Sequence, residues 1–137
     1  MSLLNVFNIS SSALNAQSVR LNVTASNLAN AETVSSSTDR TYRARHPIFQ
    51  AVMDPFDENN PGVGVKVEAI VESKEALRMR YEPENPLANS EGYIFMPNVN
   101  VVEEMANMIS ASRSYQNNIE VFNTSKQLLM QTLRMGQ

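Results

Sequence analysis

Val101–Met135 reads VVEEMANMISASRSYQNNIEVFNTSKQLLMQTLRM. Within it Val101, Met105, Met108, Ser112, Tyr115, Ile119, Phe122, Lys126, Leu129 and Leu133 follow one another in alternating steps of four and three. All but Ser112 and Lys126 are apolar, which is the spacing of a heptad seam along one stripe of an α-helix. Pro97 stops whatever precedes the stretch, and no Gly or Pro interrupts it before Gly136. Asn98 or Asn100 can serve as N-cap, and Asn100 followed by Glu103 has the form of a capping box. A helix over this stretch is about 50 Å long. The rest of the chain is too short to cover it, so it needs a second helix and then a surface from outside the chain.

The N-terminal segment supplies that second helix. Phe7, Leu14, Leu21 and Leu28 recur every seven residues, with Ser18 and Ala25 beside them. Small neighbours along such a narrow seam let helices approach closely. Ser10, Ser11 or Ser12 is expected to cap the helix, and the pattern is lost over 30–38, so the helix is expected over 11–31.

Charge sets these two segments apart from the centre. Residues 1–38 carry Arg20 and Glu32 alone, and 101–137 carry Glu103, Glu104, Arg113, Glu120, Lys126 and Arg134. The rest of the chain's 11 basic and 14 acidic residues lie in 39–100. Exposed helices of soluble monomers normally carry paired Lys and Glu on the outer face. Here Asn107, Ser110, Asn117, Asn118, Asn123 and Gln127, like Asn15, Gln17, Asn22, Asn27 and Asn30, take those places. Uncharged polar groups are buried at modest cost once hydrogen-bonded, and charges are not. Interface cores are depleted of charge for that reason. Both faces of both terminal helices are therefore expected to be covered in the working state, and the helices to be marginally ordered in the free chain.

The centre alternates. Val63, Val65 and Val67 interleave with Gly64, Lys66 and Glu68, a half-exposed strand. Leu77, Met79 and Tyr81 interleave with Arg78 and Arg80, a second strand, and Tyr93, Ile94 and Phe95 after Gly92 form a third. Pro55, Pro61, Gly62, Pro83 and Pro86 mark loops, with 54–62 read as a mobile surface loop. The fold class is mostly α with a small β insert: 1–33 an N-terminal assembly helix, 34–97 a β-rich insert with loops, 98–137 a C-terminal assembly helix. The two helices are expected to pack as a coiled-coil-like pair with the insert projecting outward.

Composition excludes much chemistry. The 137-residue chain has no cysteine, so thiolate catalysis, disulfides and cysteine-bound metal are out. His46 is the sole histidine and cannot form a metal pair. Glu103 and Glu104 are adjacent on a helix and point in different directions, so they suit the helix N-terminus rather than acid–base work. Gly62, Val63 and Gly64 lead into a strand and make no phosphate loop. Arg40, Arg43 and Arg45 read as a solvated turn in preference to a contact for an acidic partner. The methionines at 105, 108, 130 and 135 are packing material suited to an adaptable interface. A net charge of −3 gives no footprint for nucleic acid, and no run is apolar for the roughly 20 residues that direct membrane insertion requires. No cleaved leader is visible at the start. No cofactor and no metal are expected, and the chain is expected not to be an enzyme.

Three motifs add a resemblance. Residues 25–33, Ala-Ser-Asn-Leu-Ala-Asn-Ala-Glu-Thr, resemble the signature shared by axial proteins of the bacterial flagellum. Residues 81–88, Tyr-Glu-Pro-Glu-Asn-Pro-Leu-Ala, followed by 92–94 and 96–100, resemble more specifically the FlgC-type proximal rod proteins of the basal body. Residues 104–118, with Met108, Ser112 and Tyr115, fit the same family. Asn85 and the run 39–43 depart from its commoner pattern. The resemblance implies a structural subunit of the proximal rod in the flagellar basal body, spanning the periplasm, assembled helically and passing torque from motor to hook. It implies as partners further copies of itself, other rod proteins, membrane-ring and rod-base adaptor proteins, and the type III export apparatus, which would deliver the chain without a cleaved signal. The assembly surface would comprise Phe7, Leu14, Leu21, Asn27, Leu28 and Asn30 on the first helix. On the second it would comprise Val101, Met105, Met108, Tyr115, Ile119, Phe122, Leu129 and Leu133. A different axial subunit of rod or hook type, or a soluble helical adaptor or chaperone with one partner, is the alternative.

Overall fold

The computed structural model describes residues 3–52 and 63–136. The order of elements is α1 (Leu3–Asn30), β1 (Arg45–Val52), β2 (Gly64–Glu72), β3 (Arg78–Tyr81), β4 (Tyr93–Met96) and α2 (Val101–Met135). The loop expected over 54–62 lies outside the described residues.

α2 begins where its sequence says it should. Asn100 is extended, and its side-chain oxygen accepts from the backbone N–H of Val102 and of Glu103, two of the groups a helix start leaves unpaired. Glu103 and Glu104 sit in the first turn and Arg134 in the last, each favourable for the helix dipole. α1 differs from expectation. It starts at Leu3, and Ser10–Ser12 lie inside it rather than at its cap. Ser12 donates to the Ile9 carbonyl at 2.7 Å and its oxygen accepts from the Val65 N–H at 3.1 Å, so the hydroxyl ties the helix to β2. The helix extends N-terminally because Phe7 must hold helical phase to reach α2. At its end Asn30 donates back to the Ser26 carbonyl and Thr33 to the Asn30 carbonyl, satisfying the last turn without glycine.

Phe7 meets Phe122 edge to face, ring centroids 4.9 Å apart, and Arg20 donates to Asn107 at 3.0 Å. Residue numbers therefore run in opposite directions, and the helices are antiparallel. By that register Thr24 lies level with Glu104, Gln17 with Ala111 and Ser10 with Asn118.

The insert is two antiparallel hairpins. β1 pairs with β2 from Arg45↔Glu72 to Val52↔Gly64, with a bulge where Ile48 faces Ala69 and Phe49 faces Val67. No periodic pattern marks β1 in the sequence, because RHPIFQAV neither alternates nor lacks proline. Pro47 is tolerated because the sheet has two strands and each is an edge. The alternation of Val65 and Val67 is real, and both are half-buried. Gly64 permits the approach to α1, since a Cβ there would lie 3.2 Å from the Ser12 hydroxyl. β3 pairs with β4 from Arg78↔Met96 to Tyr81↔Tyr93, and Ser35, just after α1, bridges to Phe95. The core is small and sits where the helix pair meets the insert. Ala31, Ala44 and Val99 cluster there with Tyr42, and Ile94, Met96 and Pro97 are buried nearby.

Candidate assembly surface and its joint to the insert

α2 carries two neighbouring lines of residues, and only one faces α1. The inward line alternates Glu104, Met108, Ala111, Tyr115, Asn118, Phe122, Ser125 and Leu129. Glu104, Ala111 and Ser125 are buried and the others half-buried. Of the heptad residues, Met108, Tyr115, Phe122 and Leu129 face α1. The others do not. Val101, Met105, Ile119 and Leu133 are exposed, Met105 by 53% and Leu133 by 61%. The reason is size. Ala111 and Ser125 let the axes close, where Met105, Ile119 and Leu133 would hold them apart. Met105, Ile119 and Leu133 fall instead on an outward line with Val102, Ile109 and Met130, of which Val102 is 76% and Ile109 56% exposed.

On α1, Phe7, Leu14, Leu21 and Leu28 are half-buried, and the buried positions between them are Ser10, Ala16, Val23, Thr24 and Asn27. Gln17 contributes a buried Oε1 with no hydrogen-bond partner within the described residues. The interface between the helices therefore interleaves half-buried large side chains with buried small and polar ones.

Asn27, within the axial signature, is fully buried. Its oxygen accepts from the Arg45 N–H and from the Tyr42 hydroxyl, each at 2.9 Å, and its amide donates to the Arg45 carbonyl at 2.8 Å. It thus replaces a strand partner for the first residue of β1. Asn98 does the same from the other side. Its oxygen accepts from the Ala44 N–H at 2.8 Å and its amide reaches the Ser73 and Glu75 carbonyls. Arg78 completes the joint, donating to the Ala31 carbonyl at the end of α1 and to the Pro97 carbonyl just before α2. Two asparagines and one arginine so fix both helices to the insert. Asn30, by contrast, donates to the Ser26 carbonyl of its own helix. The axial signature brings out Asn27, whereas the part that Asn98 and Arg78 play in the joint leaves no periodic signal, because their hydrogen bonds span long distances in sequence.

Tyr42 sits over this joint, with the Arg45 guanidinium 5.5 Å from its ring centre. Burial pushes its hydroxyl above the usual tyrosine value, Arg45 opposes the shift, and Glu104 and Glu72 add to it. Arg45 pairs with Glu72 at 3.0 Å, both about half exposed, so the pair contributes little. Arg43 donates to the Ser73 and Glu75 carbonyls rather than facing solvent freely, and Arg40 and His46 are exposed. Among the described residues no group of acidic or histidine side chains could hold a metal, and no helix is long and apolar enough to cross a membrane.

Comparison with known proteins gives the same outline. A family model described as flagella basal body rod protein matches residues 7–34, and one described as flagellar basal body rod FlgEFG protein C-terminal matches 90–135. Those stretches hold most of the two long helices. The flagellar basal-body rod protein FlgC of Salmonella typhimurium is 53% identical over the full length of both chains. That of Yersinia enterocolitica is 51% identical, also over the full length of both, and that of Buchnera aphidicola from Acyrthosiphon pisum 45%. These relatives do not favour a soluble adaptor. The chain belongs to the FlgC-type family of flagellar basal-body rod proteins and is a structural subunit of the rod.

Proposed function

We propose that this chain assembles into the proximal rod through its helix pair, with neighbouring subunits covering the outward line of α2. The observation that carries this is the line itself: Val102, Met105, Ile109, Ile119, Met130 and Leu133 leave an apolar stripe uncovered along nearly the whole helix. In this reading α1 and α2 act as a coiled-coil-like pair. Helices of further copies and of other rod proteins pack lengthwise against it to form an inner tube, and the insert projects outward. Membrane-ring and rod-base adaptor proteins meet the base of that tube, and the type III export apparatus delivers the chain unfolded to the growing end. Torque passes from motor to hook because sliding of lengthwise-packed helices would break many contacts at once. The reading requires no catalytic chemistry and no cofactor.

The test is a pair of charges on the outward line. Ile109→Asp with Ile119→Asp is expected to leave circular dichroism and Tm unchanged, and to abolish incorporation into basal bodies and swimming. Normal swimming with both charges in place would contradict the proposal.

A further inference from the structure

The chain has 8 methionines and no cysteine, so every oxidisable sulfur in it is a thioether. A thioether has no proton to lose, and its oxidation by a peroxide is governed by access to the sulfur. Among the described residues the fold sorts the methionines by that access. Met96, in β4, is 7% exposed, and Met108 is half-buried on the line facing α1. Met79, Met105, Met130 and Met135 are exposed.

Surroundings separate the exposed ones further. On a helix the side chains three and four positions away are the neighbours. For Met105 these are Val101, Val102, Met108 and Ile109, all apolar, and Val101, Val102 and Ile109 are exposed beside it. For Met130 they are Lys126, Gln127, Leu133 and Arg134, of which all but Leu133 carry hydrogen-bond donors. Met135 lies in the last turn of α2, off the outward line, and Met79 lies on β3. Oxidation turns the apolar thioether into a polar sulfoxide whose oxygen is an acceptor. At 130 the ammonium, amide and guanidinium are within a turn of that oxygen. At 105 no donor side chain is within a turn, and the oxygen stands in the middle of an apolar patch.

We propose that Met105 is a sulfoxidation site that decides whether a free subunit enters the rod. A hydroperoxide transfers one oxygen to the thioether. The O–O bond breaks, the S–O bond forms from a sulfur lone pair, and water or an alcohol leaves. Sulfur is oxidised by two electrons, the peroxide is reduced by two, and no further reactant is consumed. In the free chain the sulfoxide stays exposed and solvated, so the fold is expected to hold. Under a neighbouring subunit it loses its water and finds no donor on its own helix, which weakens the contact about tenfold. The same sulfur is covered once the subunit is in place, so oxidation is confined to subunits not yet assembled. A methionine sulfoxide reductase returns them to use. The site rests on the proposed covering of the outward line by neighbouring subunits, and adds to it a control of that surface.

Access is tested on the purified chain with hydrogen peroxide, reading each methionine by peptide mass spectrometry. Met105 is expected to gain sulfoxide several times faster than Met96, and equal rates would overturn the proposal. Exclusion is tested by oxidising first and assembling afterwards. In cells lacking methionine sulfoxide reductase, a pool of the chain is exposed to hydrogen peroxide, the peroxide is removed, and rod assembly is then induced. Sulfoxide at Met105 is expected to be depleted about tenfold in purified basal bodies relative to the pool, that at Met130 less, and that at Met135 not at all. Equal fractions in pool and basal bodies at Met105, or equal depletion at Met105 and Met135, would overturn the proposal. Met105→Gln, which puts an amide where the sulfoxide would be, is expected to incorporate about tenfold less than Met105→Leu, and equal incorporation would also overturn it. If the Met105 sulfoxide enters basal bodies freely while Ile109→Asp with Ile119→Asp is kept out, the oxidation site falls and the covered outward line stands. If the sulfoxide is kept out while the two aspartates enter, the site stands and the reading of the line falls.

Discussion

The two lines of α2 differ in whether the chain itself covers them. The line facing α1 interleaves Met108, Tyr115, Phe122 and Leu129 with Glu104, Ala111, Asn118 and Ser125, and the line facing away is Val102, Met105, Ile109, Ile119, Met130 and Leu133. In a self-sufficient monomer the outer line would be polar. Here the chain spends its small residues on holding its own two helices close, and keeps much of its bulk for a surface it does not itself cover. The difference teaches that burial inside one chain is a poor guide to importance when the working unit is an assembly.

The joint is where the inward side has most to lose. Asn27→Ala leaves the Arg45 N–H and carbonyl and the Tyr42 hydroxyl without their partner, and is expected to cost about 3 kcal/mol in denaturant unfolding. A cost under about 0.5 kcal/mol, the range of a surface change, would show that the helix and insert are not held by this residue.

The contrast between the lines comes next. Ala111 is fully buried, so Ala111→Leu overpacks the helix pair and is expected to cost about 2 kcal/mol. Ile109→Ala, two positions away on the outward line, is expected to cost less than about 0.5 kcal/mol in the free chain. Equal costs at the two sites would erase the distinction.

Gln17 sharpens it further. Its buried Oε1 has no partner within the described residues, whereas both the oxygen and the nitrogen of the Asn27 amide are bonded. Gln17→Leu is therefore expected to stabilise the free chain by about 1 kcal/mol, seen as a higher Tm. Destabilisation would mean that the amide is already satisfied in solution.

The smallest effect is alkaline. Tyr42 in the folded chain holds its proton above the ordinary value of 10.0, chiefly through burial. A raised folded value means that its contribution is fully present below the unfolded value, and is lost as pH rises through the folded one. Stability should decline from about pH 10 upward, and Tyr42→Phe should flatten that slope while costing about 1 kcal/mol for the bond to Asn27. An unchanged slope would place the titrating group elsewhere.

Much of this architecture is legible in the chain itself. The Asn100 cap, the uninterrupted 101–135 stretch, the alternations at 65–67 and 78–81 and the apolar run at 93–95 follow from local rules. β1 does not, because Pro47 and the run of apolar residues after it erase the period, and only the partner strand and the Asn27 and Asn98 side chains impose it. The serines at 10–12 look like a cap and are overruled by the packing of Phe7. The heptad seam carried the subtler ambiguity. Met108, Tyr115, Phe122 and Leu129 belong to two overlapping patterns, one completed by residues four positions on and one by residues three positions on. Apolar content favours the first pattern, and the steric demand of close axes selects the second. Periodicity locates a helix that must be covered, and does not say which stripe its own chain covers.

The central claim is that the outward line of α2 is covered by neighbouring subunits in the rod. Thiol labelling of an Ile109→Cys chain tests it most directly, because no other cysteine is present. The account predicts rapid labelling of the free chain and protection in purified basal bodies. Labelling at the same rate in both would contradict it.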